Sequence, residues 1–203
     1  MNHEKKEECR QEHHGGQGRR CHGPTSAWLH DPKMVLGKIP IQPGQVLVDL
    51  GCGVGDYTIA ASTIVGAAGR VYAIDKWSYL INQLSKTMES RGLTNIKPLT
   101  ADITAPLPLD DHSVDVVFIA TVLHIFNLKQ DGPVIFAEVS RILKPGGRLA
   151  VVECKKEDQD FGPPKHMRNA PDEIEAALVP HGFEKVQYDD LGYNYLIQFI
   201  LRR

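Results

Sequence analysis

Residues 49–56 read Asp-Leu-Gly-Cys-Gly-Val-Gly-Asp, with glycine at every second position after an acid. Glycine admits backbone angles closed to other residues and lets a ligand approach the main chain. If a helix follows, its first unpaired N–H groups add donors. Two phosphate-binding patterns compete for this loop and both fail. A dinucleotide fingerprint needs a third glycine where Asp56 stands, and a P-loop needs a lysine that is missing. An acid inside the loop would also repel a pyrophosphate. The expected ligand is therefore not anionic at this point, and a positive charge would suit it.

The elements around the loop follow from hydrophobic spacing. The apolar run at 45–50 reads as a buried strand, and 55–65 has helical spacing. Further strands are expected at 70–75, 96–102, 114–120 and 148–154, with the nearly all-apolar 114–120 buried on both faces. Helices are expected at 32–37, 77–91 (closed by Gly92), 131–143 (ended by Pro145-Gly146-Gly147) and 171–180. The runs at 184–190 and 194–202 suggest a terminal hairpin. Strands alternating with helices predict βαβ units: an α/β, doubly wound, mostly parallel sheet of seven strands with an antiparallel C-terminal hairpin. Ligands of such sheets bind beyond the C-terminal ends of the strands, where the glycine loop falls.

The chain has 203 residues, which suits one domain plus a tail. Residues 1–24 are almost without apolar side chains and read as a flexible polar tail, with 25–203 as the folded domain. The tail is too polar for a secretory signal, and no run approaches the roughly 18 apolar residues of a membrane span. It carries His3, Cys9, His13, His14, Cys21 and His22, but their spacing matches no standard zinc pattern, so no metal is assigned. A net charge of −2 disfavours a nucleic-acid partner. Four cysteines in this length do not make a disulfide scaffold, so a cytoplasmic protein with reduced thiols is expected.

"VLVDLGCGVGD" resembles the D/E-x-G-x-G-x-G signature of class I S-adenosylmethionine-dependent methyltransferases. The resemblance continues through "VYAIDK", "LTADI", "FIATVLHI" and "RILKPGGRLAVVE", and its order and spacing cover residues 25–203. The small-molecule group that includes ubiquinone/menaquinone and arsenite methyltransferases is the most similar. This implies a Rossmann-like methyltransferase fold and S-adenosyl-L-methionine as cofactor. It places Asp49 near the cofactor's ammonium end, and the loop of Gly51, Cys52, Gly53 and Gly55 against its methionine and ribose parts. It gives Asp75 the ribose hydroxyls, Asp102 the adenine amine, Ile103 the ring face, and Ala120 and Thr121 the methionine portion. Lys76 and Trp77 would cover the ribose or adenine edge. Each has a plainer rival: Asp49 and Asp75 also suit helix capping, Cys52 small packing and Trp77 a core position.

On the substrate side, His124 is a candidate base and Glu153 a candidate substrate-holding group, the rivals being a wall residue and a cap. Trp28, Leu29 and His30 are candidates for a lid. Residues 155–168 read as a semi-rigid loop whose Lys155, Lys156, Lys165, His166 and Arg168 could draw an anionic substrate or simply be solvated. The leading expectation is methyl transfer to a small molecule by in-line displacement. The alternatives are a non-catalytic cofactor- or partner-binding domain, and a metalloid (arsenite) enzyme using Cys154 with Cys9 or Cys21. A macromolecular amine substrate is disfavoured, because "ATVLH" stands where an Asn-Pro-Pro-Tyr tetrad would be. The helix at 171–180 and the hairpin are candidate surfaces for a homodimer.

Overall fold

The computed structural model describes Ala27 and residues 29–202. The tail, with its Cys/His cluster, and Trp28 of the lid lie outside the described residues.

The chain runs α1 (Pro32–Leu36), β1 (Val46–Leu50), α2 (Asp56–Val65), β2 (Arg70–Asp75), α3 (Ser78–Arg91), β3 (Ile96–Thr100) and β4 (Val114–Ala120). It continues through α4 (Gly132–Ile142), β5 (Leu143–Cys154), α5 (Pro171–Leu178), β6 (Phe183–Asp190) and β7 (Asn194–Leu201). The strands form one seven-stranded sheet in the order β3-β2-β1-β4-β5-β7-β6. The first five strands are parallel, and β7 inserts antiparallel between β5 and β6. The order reverses between β1 and β4, so a crevice opens at the C-terminal ends of those two strands.

Strand alternation divides the core in two. Val48 and Leu50 of β1 and Val117 and Ile119 of β4 face one cluster with Ile135, Phe136 and Val139 of α4 and Ile174 and Leu178 of α5. Leu47, Val116 and Phe118 face the other, with Val35 and Leu36 of α1, Tyr57, Ala61 and Val65 of α2 and Leu84 of α3. Asp49 shares the parity of Leu47, which turns it towards α2.

Several boundaries differ from the sequence expectation. The helix expected to run to 143 ends at Ile142, because the fully buried Leu143 already pairs with Val114 in the sheet. Pro145-Gly146-Gly147 therefore lies inside β5, at a register irregularity between the Leu143 and Arg148 pairs. β3 stops at Thr100; Ala101 N still donates to Asp75 O at 3.1 Å, and Asp102 turns away. Two 3₁₀ turns, Leu123–Ile125 and Lys165–Met167, had no periodic signal because each spans three residues.

Phe118 sits in the middle of the central strand and meets the Tyr57 ring at 4.9 Å between centroids. Phe118→Ala is expected to lower unfolding free energy by about 3–5 kcal/mol, read from urea denaturation.

Candidate active site

The glycine loop turns the chain from β1 into α2 through three left-handed residues, with φ of 83° at Gly51, 57° at Gly53 and 90° at Gly55. Gly51 N and Cys52 N both donate to Ile74 O, at 2.8 and 3.0 Å, which pins the loop to the end of β2. The three glycines meet different demands. A Cβ on Gly51 would lie 2.4 Å from Val122 Cγ2, and one on Gly55 would lie 2.5 Å from Leu84 Cδ1. A Cβ on Gly53 would meet nothing within 4 Å. Only Gly53 therefore presents its bare backbone to open space; the outer two let α3 and the segment after β4 close on the loop.

Two carboxylates flank this turn. Asp49 is 2% exposed and accepts a 2.6 Å hydrogen bond from Thr58 Oγ1 of α2. Burial pushes its carboxyl up to about 7, against the pull of the Thr58 bond, and the nearby Asp75 charge adds to the rise. Asp75, at the end of β2, accepts from Gly53 N through Oδ2 at 3.0 Å and from Trp77 N through Oδ1 at 2.9 Å. It thus ties the glycine loop to the start of α3. Asp75 holds the main chain entering α3, whereas Asp49 meets α2 through the Thr58 hydroxyl.

The other expected residues gather along the same edge. Asp102 Oδ1 accepts from Thr104 N and Thr104 Oγ1, at 2.9 and 2.7 Å, which holds its carboxyl below the usual carboxylate range. Ile103 belongs to the core cluster around Leu107 and is 6% exposed. The Lys76 ammonium lies 5.2 Å from the centre of the exposed Trp77 ring, and Tyr79 packs beside that ring. The Cys52 thiol is raised by burial, with the Asp49 and Asp75 charges adding, which keeps it a thiol. After Ala120, Thr121 adopts φ 54°, a left-handed conformation that is strained for a β-branched residue. Thr121 N donates to Val152 O at 2.8 Å, which fixes the turn against β5.

His124 and Glu153 come together. Glu153 Oε2 lies 3.1 Å from His124 Nδ1, and Oε1 accepts from His124 N at 3.3 Å. Sequence spacing did not pair them, because their contact crosses from the turn after β4 to the end of β5.

The 155–168 loop corrects one expectation. Arg168 is 4% exposed and spends its guanidinium on four main-chain carbonyls, those of Lys155, Glu157, Phe161 and Pro163, at 2.7–3.1 Å. It organises the loop from within and is not open to an anion. Lys155, Lys156 and Lys165 are paired with Asp190, Glu173 and Asp158. His30 of the expected lid bonds Asn194 Oδ1 at 3.1 Å, and Asn194 Nδ2 reaches Cys154 Sγ at 3.5 Å. The Cys154 thiol is raised by burial and by Glu153. Among the described residues, no group of three or more His, Cys, Asp or Glu could hold a metal ion. None of the described helices is long and apolar enough to cross a membrane. Sequence reasoning missed the parts played by Thr58, Val122 and Leu84, which arise from contacts with Asp49, Gly51 and Gly55.

Gly51→Ala should lose about 2–4 kcal/mol of stability through overlap with Val122 plus left-handed strain. Gly53→Ala should lose only about 1 kcal/mol, since strain alone opposes it. Urea midpoints of the two variants separate these costs. Asp49 gives a pH signature. Its folded-state carboxyl is raised, so the native chain holds a proton that the unfolded chain has released between about pH 4 and pH 7. Stability should therefore fall by a few kcal/mol across that window and level off above it. Asp49→Asn should flatten the fall, read as urea midpoints at pH 5 and pH 8.

Residues 41–193 match the family model described as a methyltransferase domain. A demethylmenaquinone methyltransferase of Geobacillus stearothermophilus is 32% identical over 126 residues, 61% of this chain and 51% of the relative. A ubiquinone/menaquinone biosynthesis C-methyltransferase of Shewanella halifaxensis is 30% identical over 162 residues, 78% of this chain and 60% of the relative. The chain thus spans between half and three-fifths of the length of these relatives. Its fold superposes on a SAM-dependent methyltransferase from Aquifex aeolicus with a TM-score of 0.80 at 29% identity, covering 88% of this chain and 93% of that one. Geranyl diphosphate C-methyltransferase from Streptomyces coelicolor shares the fold at a TM-score of 0.69 and 16% identity, over 84% of this chain and 79% of that one. The chain belongs to the methyltransferase-domain family, in the class I S-adenosylmethionine-dependent group to which the quinone methyltransferases belong.

Proposed function

We propose that this chain transfers a methyl group from S-adenosyl-L-methionine to a small-molecule acceptor. The observation that carries the reading is Asp75: a carboxylate at the end of β2, held by Gly53 N and Trp77 N beside the one loop glycine that faces open space.

The residues fit the cofactor part by part. Asp75 would accept the ribose hydroxyls, as acids at this place do in related folds. Gly51, Cys52, Gly53 and Gly55 would form the floor, with Gly53 allowing the closest approach. Asp102 and Ile103 would take the adenine, with Lys76 over its outer edge. Ala120 and Thr121 would flank the methionine portion. Asp49, beneath the loop, would act on the cofactor's positive charge through its field.

The bound cofactor supplies an electrophilic methyl on a sulfonium. The chain's part is alignment of the acceptor and exclusion of water, which together account for much of the rate in such displacements. The net charge of −2 supports a small molecule over a nucleic acid. The free thiols Cys52 and Cys154 suit a reducing, cytoplasmic setting. α5 and the β6–β7 hairpin remain the surfaces on which a homodimer would form.

Calorimetric titration with S-adenosylmethionine and S-adenosylhomocysteine tests the reading. Binding is expected in the micromolar range, weakened about 100-fold or more in Asp75→Ala, since two charge-assisted hydrogen bonds would be lost. A folded chain that binds neither ligand defeats it.

A further inference from the structure

We propose that His124 and Glu153 form a proton-accepting pair, and that the acceptor is a molecule whose reacting oxygen gives up a proton on methylation: a phenol or an enol. The inference rests on the proposed methyl transfer and names the acceptor class for it.

The geometry sets which ring nitrogen faces the carboxylate. The Glu153 side chain is wholly buried, at 0% exposure, and among the described residues its two oxygens meet three nitrogens: His124 N, His124 Nδ1 and Cys154 N. With Glu153 as a carboxylate, which can only accept, Nδ1 carries the hydrogen and Nε2 is the nitrogen left to take up a proton. Among the described residues Nε2 has no hydrogen-bond partner, and the ring retains 15% exposure where Glu153 has none. The carboxylate thus lies behind the imidazole, which is the more exposed partner of the pair.

The pair also stands in the right place. Val122, two residues before His124, is the side chain that packs on Gly51 of the cofactor loop. The strained turn at Thr121 swings this segment from the end of β4 across that loop. The backbone bond from His124 N to Glu153 Oε1 then anchors the 3₁₀ turn to β5.

The chemistry balances without a further reactant. The acceptor's O–H bond breaks and its proton passes to His124 Nε2. The electron pair left on oxygen forms the new O–CH₃ bond. The S–CH₃ bond breaks with its pair remaining on sulfur, as a neutral thioether. Glu153 orients the ring and stabilises the imidazolium; it is a positioning residue, while His124 touches the acceptor. A thiolate or a metalloid lone pair needs no such base, so the pair argues for an acceptor that does.

The test reads the tautomer directly. The chain carrying nitrogen-15 histidine is examined by NMR near pH 8, with His124 identified by its missing signal in His124→Gln. The expected result is a neutral ring protonated on Nδ1. A proton on Nε2, or a doubly protonated ring at that pH, overturns the proposal. In parallel, tritium transfer from methyl-labelled S-adenosylmethionine to 2-naphthol should fall about 100-fold or more in His124→Gln and about tenfold in Glu153→Gln. S-adenosylhomocysteine affinity should stay within about twofold in both, as neither group is placed on the cofactor. Naphthol transfer that is unchanged in His124→Gln also overturns it. The tautomer needs no acceptor, so it decides the pair even if 2-naphthol is not turned over. A chain with the proton on Nδ1 that fails to bind S-adenosylhomocysteine defeats the proposed function and leaves the pair standing.

Discussion

The Asp75 carboxylate is the constraint on which the glycine-loop edge of the sheet depends. One oxygen holds Gly53 N and the other holds Trp77 N, so the glycine loop and the start of α3 share a single anchor at the end of β2. The loop has few other means of keeping its shape. Its three left-handed glycines have no side chains to pack, and its remaining pins are the Ile74 carbonyl and the turn closed by Cys52 O. Charge-assisted bonds from main-chain N–H groups are among the stronger ones available. The strand pairing of Leu50 with Ile74 sets the distance across which this anchor works.

The acids of this edge also constrain one another. Asp49 lies behind the loop, and the Asp75 charge is among the causes that raise its carboxyl. Thr58 relieves part of that penalty with one hydroxyl, which fixes the first turns of α2 against β1. A buried acid held near neutrality is poorly explained by stability, since ionising it there is unfavourable. On the proposed function its charge would become favourable when the cofactor's cation is bound nearby.

Much of this was legible in the sequence, and the limits are physical. The parallel core was readable because strands buried on both faces are continuously apolar, as 114–120 shows. Asp49, the glycines, Asp75 and Asp102 were readable because the edge is built where strands end, and strand ends carry local signals. Contacts between distant segments were not. That Gly51 answers to Val122 and Gly55 to Leu84 depends on how α3 and the post-β4 turn close, which no local pattern encodes. Arg168 looked like surface charge in a polar loop, yet backbone carbonyls at four positions wrap it. The end of α4 was misplaced for a related reason: Pro145-Gly146-Gly147 looks like a helix stop, but burial of Leu143 in the sheet ends the helix first.

The sheet edge divides at the β1–β4 switch point into two halves of different character. On the β1–β2 side the polar groups are acids and main-chain N–H donors, with Lys76 and Trp77 at the rim, a surface suited to a ligand with hydroxyls and positive charge. On the β4–β5 side the polar groups are already satisfied by one another: His124 by Glu153, Cys154 by Asn194, and Arg168 by its own loop. A wall so internally bonded offers an incoming molecule few fixed polar contacts. Recognition there must come from shape, from apolar surface and from the unspent imidazole nitrogen. On the proposed function, the first half would read the cofactor, while the second would admit a less polar acceptor and act on it at a single point.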